Sequence, residues 1–242
     1  MRTKWLIRQP SPQAAARLFC IPYSGCGASM YRKWPHFVGE LEICPVQLPG
    51  RENRMRETAY ETNEALAVDL ADALLPYLDR PFGLFGHCGS ALAAFATTVQ
   101  LSALDLPTPT RIFLSSQVAP HEEPFGRLLA MRDDELRDEL VRLMIEMGAT
   151  PVPDLIDLAH EILLTDMGAT RRYRLPAPIH LPVPITAIGW TRDVDVSALR
   201  IKGWAEYGDT TFELLDGVHY RFLEAPGELM ELFRRNLVKP TN

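Results

Sequence analysis

The sequence predicts an α/β fold: a mostly parallel central sheet flanked by helices on both faces. Three observations carry this. Short apolar runs alternate with longer segments of helical periodicity, the pattern of parallel strands joined by crossover helices. One run, Phe82 to Phe85, breaks off in Gly86-His87-Cys88-Gly89-Ser90 and is followed at once by an Ala-rich apolar segment, Ala91 to Val99. The 242 residues, 47% hydrophobic and 23% charged, suffice for one large core.

No Ser/Gly-rich linker or charge run divides the chain, so one domain over 1–242 is expected, with a helical lid insertion at 121–175. The net charge is −6 and no Lys/Arg cluster alternates with aromatics, so nucleic acid is not an expected partner. Arg2, Lys4, Arg8 and Arg17 interrupt any apolar stretch before Leu18, so no secretory leader is expected. No run is long enough for a membrane span. Cys20, Cys26, Cys44 and Cys88 lack metal-ligand spacing, and so large a chain needs no staples. Reduced thiols in the cytoplasm, with no metal, are the expectation.

In chain order, Trp5, Leu6 and Ile7 form a short strand after a polar start, and Arg17 to Ile21 a buried one. Pro22-Tyr23-Ser24-Gly25-Cys26-Gly27-Ala28-Ser29 is a small-residue turn that exposes backbone N–H groups at a strand end. A helix is predicted around Tyr31 to Gly39, then a strand from Glu42 to Leu48. Residues 61–79 are the clearest helix: Leu66, Leu70, Leu74 and Leu78 recur every four positions, with Asp69, Asp72 and Asp79 opposite. The strand at Phe82 and its helix follow, then a strand from Arg111 to Ser116. Beyond it lie three predicted helices, Asp133 to Met147, Asp154 to Thr165 and Met167 to Arg174. A helical insertion after a sheet strand is a natural lid over the strand ends. The Pro-rich stretch from Pro176 to Pro184 returns the chain to a strand at Ile185 to Gly189, a helix at Val196 to Tyr207, a last strand at Thr210 to Leu215 and a helix at Pro226 to Leu237.

Gly86-His87-Cys88-Gly89-Ser90 has the form of a nucleophile elbow, in which small residues flank a side chain lifted off the sheet at a helix N-terminus. The helix dipole there favours a thiolate, so Cys88 is the candidate nucleophile. A thiol nucleophile needs a base and a group to orient it. Of the histidines after Cys88, His121 and His160 fall in or beside the insertion and His180 in the Pro-rich connector; His219 follows the last strand, where a loop can reach back over the elbow. The orienting acid should follow the preceding strand, where Asp193 and Asp195 are both available. Gly89 N–H and a second backbone donor near Ser24 are candidates for an oxyanion hole. Cys26 is a small loop residue, and Cys20 and Cys44 belong to the core.

The chain resembles the type II thioesterases of nonribosomal peptide and polyketide biosynthesis, members of the α/β-hydrolase superfamily. The likeness spans nearly its whole length. It rests on Leu18 to Ser29, on Gln47-Leu48-Pro49-Gly50-Arg51, on Leu84 to Ser90, on Ser116 to Pro120 and on Leu164-Thr165-Asp166. It rests also on Gly189 to Asp193, Gly203-Trp204 and Asp216-Gly217-Val218-His219-Tyr220. The family usually carries Ser-Met-Gly where this chain has Cys88-Gly89-Ser90. The resemblance implies Asp193 as the acid, Ser24 and Gly89 as oxyanion donors, and no bound cofactor. It also implies a substrate acyl group borne on the phosphopantetheine arm of an acyl or peptidyl carrier protein. Arg51, Arg54 and Arg56, or Arg171, Arg172 and Arg174, offer local basic spots for that acidic partner.

Cysteine changes the thermodynamics. A seryl acyl-enzyme is an oxygen ester, downhill from a thioester, whereas a cysteinyl acyl-enzyme is itself a thioester and can pass its acyl group to another thiol or amine. Hydrolysis is the leading expectation and acyl transfer the alternative. A Cys-dependent small-molecule esterase or lactone hydrolase, or an idle binding protein, stands behind them.

Overall fold

The seven strands are β1 (Ala16–Cys20), β2 (Phe37–Val38), β3 (Leu41–Pro45), β4 (Phe82–His87), β5 (Arg111–Ser115), β6 (Ile185–Trp190) and β7 (Thr210–Leu215). They come from a computed structural model that describes residues 3–124 and 126–239. Arg2 and position 125 of the 121–175 segment therefore lie outside the described residues. The sheet order is β2-β3-β1-β4-β5-β6-β7, and every pairing is parallel except that of β2 with β3. β1 lies between β3 and β4, so the chain leaves it to one side and returns to its other edge. At such a switch point the loops after the two central strands diverge and open a crevice at the carboxyl ends. Here those loops carry Ser24 and Cys88.

The helices are α1 (Asn63–Leu74), α2 (Gly89–Ala103), α3 (Arg127–Ala130), α4 (Asp133–Glu146), α5 (Pro153–Arg172) and α6 (Gly227–Leu237). Strand side chains alternate between two buried layers. Phe19, Leu84, Ile112 and Leu114 pack with Leu66 and Leu70 of α1 and Phe95 of α2. Leu18, Phe85, Phe113 and Ile188 pack with Leu229, Phe233 and Leu237 of α6. Burial on both faces is why these strands read as continuous apolar runs rather than alternating ones. Each large apolar side chain so buried contributes roughly 1.5–3 kcal/mol.

Four elements differ from expectation. The helix at Tyr31 to Gly39 is instead a 3₁₀ turn at Ala28–Lys33, followed by the edge strand β2. Pro35 forces Trp34 into extended backbone (φ −77°, ψ 138°), which stops the turn. Trp5 to Ile7 makes a lone antiparallel bridge, Leu6 with Val46. The two helices expected at 154–174 are one continuous α5, with Pro153 at its first turn and Arg171 and Arg172 in its last, where they favour the dipole. The segment from Val196 holds a 3₁₀ stretch, Arg200–Tyr207, rather than an α-helix. No helix among the described residues is long and apolar enough to cross a membrane.

Candidate active site

Cys88 joins β4 to α2 in a backbone conformation that L-residues rarely adopt, φ 56° and ψ −130°. Holding such a conformation costs on the order of 1–3 kcal/mol. Its neighbours explain how it is held. A Cβ on Gly86 would collide with the Ser90 carbonyl, so only glycine fits there. Ser90 Oγ accepts from His87 N (2.9 Å) and donates to His87 O (3.0 Å), and Cys88 N donates to Ser115 O (2.8 Å). The serine that departs from the usual glycine thus staples the turn. His87 lies buried under the turn, with Nδ1 2.9 Å from Ser115 Oγ and its ring stacked on Phe222. Burial pushes its pKa well below the ordinary value, and the neighbouring His219 adds to this.

His219 begins a 3₁₀ turn just after β7, and Asp193 follows β6. His219 Nδ1 lies 3.0 Å from Asp193 Oδ2 and 3.1 Å from Oδ1. Asp193 also accepts from Ser116 Oγ (2.6 Å), Asp195 N (2.8 Å) and Val196 N (3.0 Å). Burial alone would raise the carboxyl; the hydrogen bonds from His219 and Ser116 and the charge of His219 hold it well below the usual carboxylate range. Burial likewise favours neutral His219, but Asp193 and the Cys88 sulfur outweigh it and push its pKa up to about 10.

The two acids left open by the sequence are both present, on opposite sides of the ring. Asp193 takes Nδ1, and Asp195 Oδ2 lies 3.6 Å from Nε2. Asp195 is itself ion-paired to Arg127, which continues to Glu139 on α4. Glu139 also accepts from the Tyr220 hydroxyl at 2.9 Å. One carboxylate and one imidazole nitrogen more would suit a divalent cation, and ligand atoms of Asp193, Asp195 and His219 lie within 4.8 Å of one another. Asp193 is already saturated with donors, however, and the Arg127 guanidinium stands against Asp195 where a cation would. Among the other histidines, His121 meets Tyr207 and Glu206, and His160 meets Asp133.

Ser24 and Gly89 come together beside Cys88. A Cβ on Gly89 would sit 2.6 Å from Ser24 Oγ and 2.7 Å from Thr170 Oγ1. As the first residue of α2, Gly89 has an N–H without an intrahelical acceptor. The Ser24 loop is anchored from a distance. Arg51 grips Asp166 of α5 through two bonds, 2.7 and 2.9 Å, and Asp166 Oδ2 accepts from Gly25 N at 2.8 Å. The sequence marks all three segments but not the bonds that join them.

The structure also thins one docking candidate: Arg51 and Arg54 are buried, the latter stacked over Trp5, and only Arg56 of that trio is exposed. Arg171 and Arg172 are exposed, although each bonds a backbone carbonyl. Cys20, Cys26 and Cys44 are buried and Cys88 only half so. Burial raises all three buried thiols, Cys26 up to about 12. Two cavities flank the Ser24–Gly89 contact. One of about 350 Å³ includes Cys88 in its wall, and the other, about 450 Å³, reaches Arg51 and Asn63 instead.

Comparison with known proteins gives a consistent picture. Residues 16–237 match the thioesterase domain family. The gramicidin S biosynthesis protein GrsT of Aneurinibacillus migulanus is 28% identical over 243 residues, 97% of this chain and 94% of that protein. Among solved structures, the RedJ thioesterase of the prodiginine pathway in Streptomyces coelicolor is 29% identical, with a TM-score of 0.77 over 96% of each chain. The type II thioesterase BorB of the borrelidin cluster is 25% identical, with a TM-score of 0.81 over 98% of this chain and 99% of that one.

Proposed function

The chain belongs to the thioesterase family, a hydrolase with the α/β-hydrolase architecture, and on that premise we propose that it cleaves acyl or aminoacyl groups from carrier proteins in nonribosomal peptide and polyketide biosynthesis. The relatives and neighbours from such pathways support the setting. The observation that carries the residue assignment is the imidazole of His219, held by Asp193 through Nδ1 at 3.0 Å, with Asp193 first and the Cys88 sulfur second drawing its pKa upward.

In this reading Cys88 Sγ attacks the thioester carbonyl after His219 Nε2 takes its proton, and Asp193 steadies the imidazolium. Gly89 N–H and the backbone at Ser24 receive the oxyanion. Collapse breaks the bond to the pantetheine sulfur, which leaves with the proton from His219, and an acyl-Cys88 remains. Water, deprotonated by His219, then releases the carboxylic acid and returns the thiol. These residues and water complete the reaction, and the substrate brings its own pantetheine. Helices α3 to α5, in the 121–175 insertion of a single 1–242 domain, serve as the lid. An acidic carrier docks transiently near Arg171 and Arg172. The free thiols accord with a cytoplasmic protein.

Acyl transfer is the second reading, favoured by the sulfur itself: an acyl-Cys88 lies close in energy to the substrate. Mass spectrometry with one acyl carrier protein separates the two. Hydrolysis releases free acid, whereas transfer leaves an acyl-Cys88 adduct until a second carrier or an amine is added. Cys88→Ala is expected to abolish both adduct and turnover, and Cys88→Ser to retain hydrolysis. His219→Ala should slow acylation by about 10²–10⁴. A near-normal rate in Cys88→Ala would move the nucleophile elsewhere.

A further inference from the structure

The smaller cavity, the one that Cys88 lines, also has Gln117 in its wall. Gln117 follows β5 directly after Ser116, whose φ of 50° turns the chain under the site. The residue is 1% exposed. Its Oε1 accepts from Val118 N at 2.9 Å, and its backbone carbonyl accepts from Trp204 Nε1 at 2.8 Å. Its Nε2 has no hydrogen-bond partner among the described residues. Buried amide donors are seldom left so, and in a residue that lines a cavity an occupant can complete the bond.

The rest of the wall narrows the occupant. Asp195 and Arg127 are paired with each other, and Arg127 further with Glu139, so neither offers a free charge. The Tyr23 hydroxyl lies 3.4 Å from that of Tyr220. Leu128, Leu129 and Met167 supply the apolar surface. What remains, beside the Ser24 hydroxyl next to the reacting centre, is the neutral Gln117 amide donor in a mainly apolar pocket.

Resting on the thioesterase reading above, we propose that Gln117 is a specificity-determining residue for acyl groups that carry a neutral oxygen acceptor near the thioester. A keto or hydroxyl oxygen accepts the Gln117 Nε2–H, while the Gly89 and Ser24 donors serve the reacting carbonyl. A plain alkyl acyl group leaves the amide unpaired and is disfavoured. Sites built to bond a substrate oxygen reject the analogue that lacks it more sharply than apolar pockets reject an extra methylene.

The experiment compares butanoyl, 3-hydroxybutanoyl and 3-oxobutanoyl thioesters of N-acetylcysteamine with the full chain. We expect kcat/KM for the oxygenated pair to exceed that for butanoyl by roughly tenfold, the net worth of one neutral hydrogen bond. Gln117→Leu should bring the ratio close to one. Gln117→Glu, similar in shape but an acceptor when ionised, should turn against the 3-oxo substrate while sparing the 3-hydroxy one, which can donate. Equal rates on all three with the native chain would overturn the proposal. So would a Gln117→Leu variant that slows all three by one common factor, the mark of a residue that only packs. If the native chain cleaves none of the three and forms no acyl-Cys88, the thioesterase reading falls and takes this inference with it.

Discussion

At the scale of single residues, the charge state of the His219–Asp193 pair makes stability depend on pH in a definite direction. His219 is raised from an ordinary value of 6.5 to about 10. Its contribution is therefore complete below pH 6.5 and is lost as pH rises through about 10. Asp193 is depressed from 3.8, so its contribution is present above that value and is lost as pH falls below it. The melting temperature of the native chain should exceed that of Asp193→Asn most between about pH 4 and 6.5, and the gap should shrink by pH 10. A gap that widens towards pH 10 would mean that His219 is neutral at rest. Cys88, His219 and the loops of Ser24 and Gly89 are legible in one dimension because glycines and strand ends mark them. Position alone leaves Asp193 and Asp195 open, since two places along a loop say nothing of which side of a ring each carboxylate meets; only the family resemblance singles out Asp193. Gln117 went unnoticed for a like reason: an unpaired amide is defined by what is missing around it.

At the scale of elements, three separate stretches act as one clamp. Arg51 follows β3, Asp166 lies in α5, and Gly25 belongs to the loop after β1. Breaking a buried ion pair by removing one partner typically costs about 3–5 kcal/mol. Arg51→Ala should therefore lower stability by about that amount. It should also cut thioester hydrolysis by as much as about 10²–10³ as the Ser24 loop loses its anchor, the range seen when one oxyanion donor is lost. Denaturant melts and a thioester assay measure the two effects, and Cys88 should still be alkylated. A variant with full activity would detach this clamp from the site. The strand runs and α1 were readable because period and burial coincide in them. The 3₁₀ stretches at Ala28–Lys33 and Arg200–Tyr207 were not, since their helical composition is overridden by Pro35 and by packing around Trp204. The continuity of α5 is also hidden from the sequence, which divides it at Asp166; the helix runs on through that residue, whose carboxylate turns aside to Arg51.

At the scale of the whole molecule, the sheet decides which side chains reach solvent. Every group assigned to the site lies at the carboxyl ends of β1, β4, β5, β6 and β7, around the switch between the two central strands. That arrangement followed from the strand–helix alternation alone, whereas the pairing of α3 and α4 with the site through Arg127, Asp195 and Glu139 did not, because it joins positions far apart in the chain. The distribution of sulfur has a practical outcome. Three thiols are sealed in the interior and one stands at the crevice. A chromogenic disulfide reagent should modify one cysteine per native chain at once and all four after unfolding in denaturant. More than one rapid equivalent would mean that the interior opens. With one, each chain carries its own tally mark: the fraction of a preparation that takes up dye reads directly as the fraction of intact elbows, before any substrate is known.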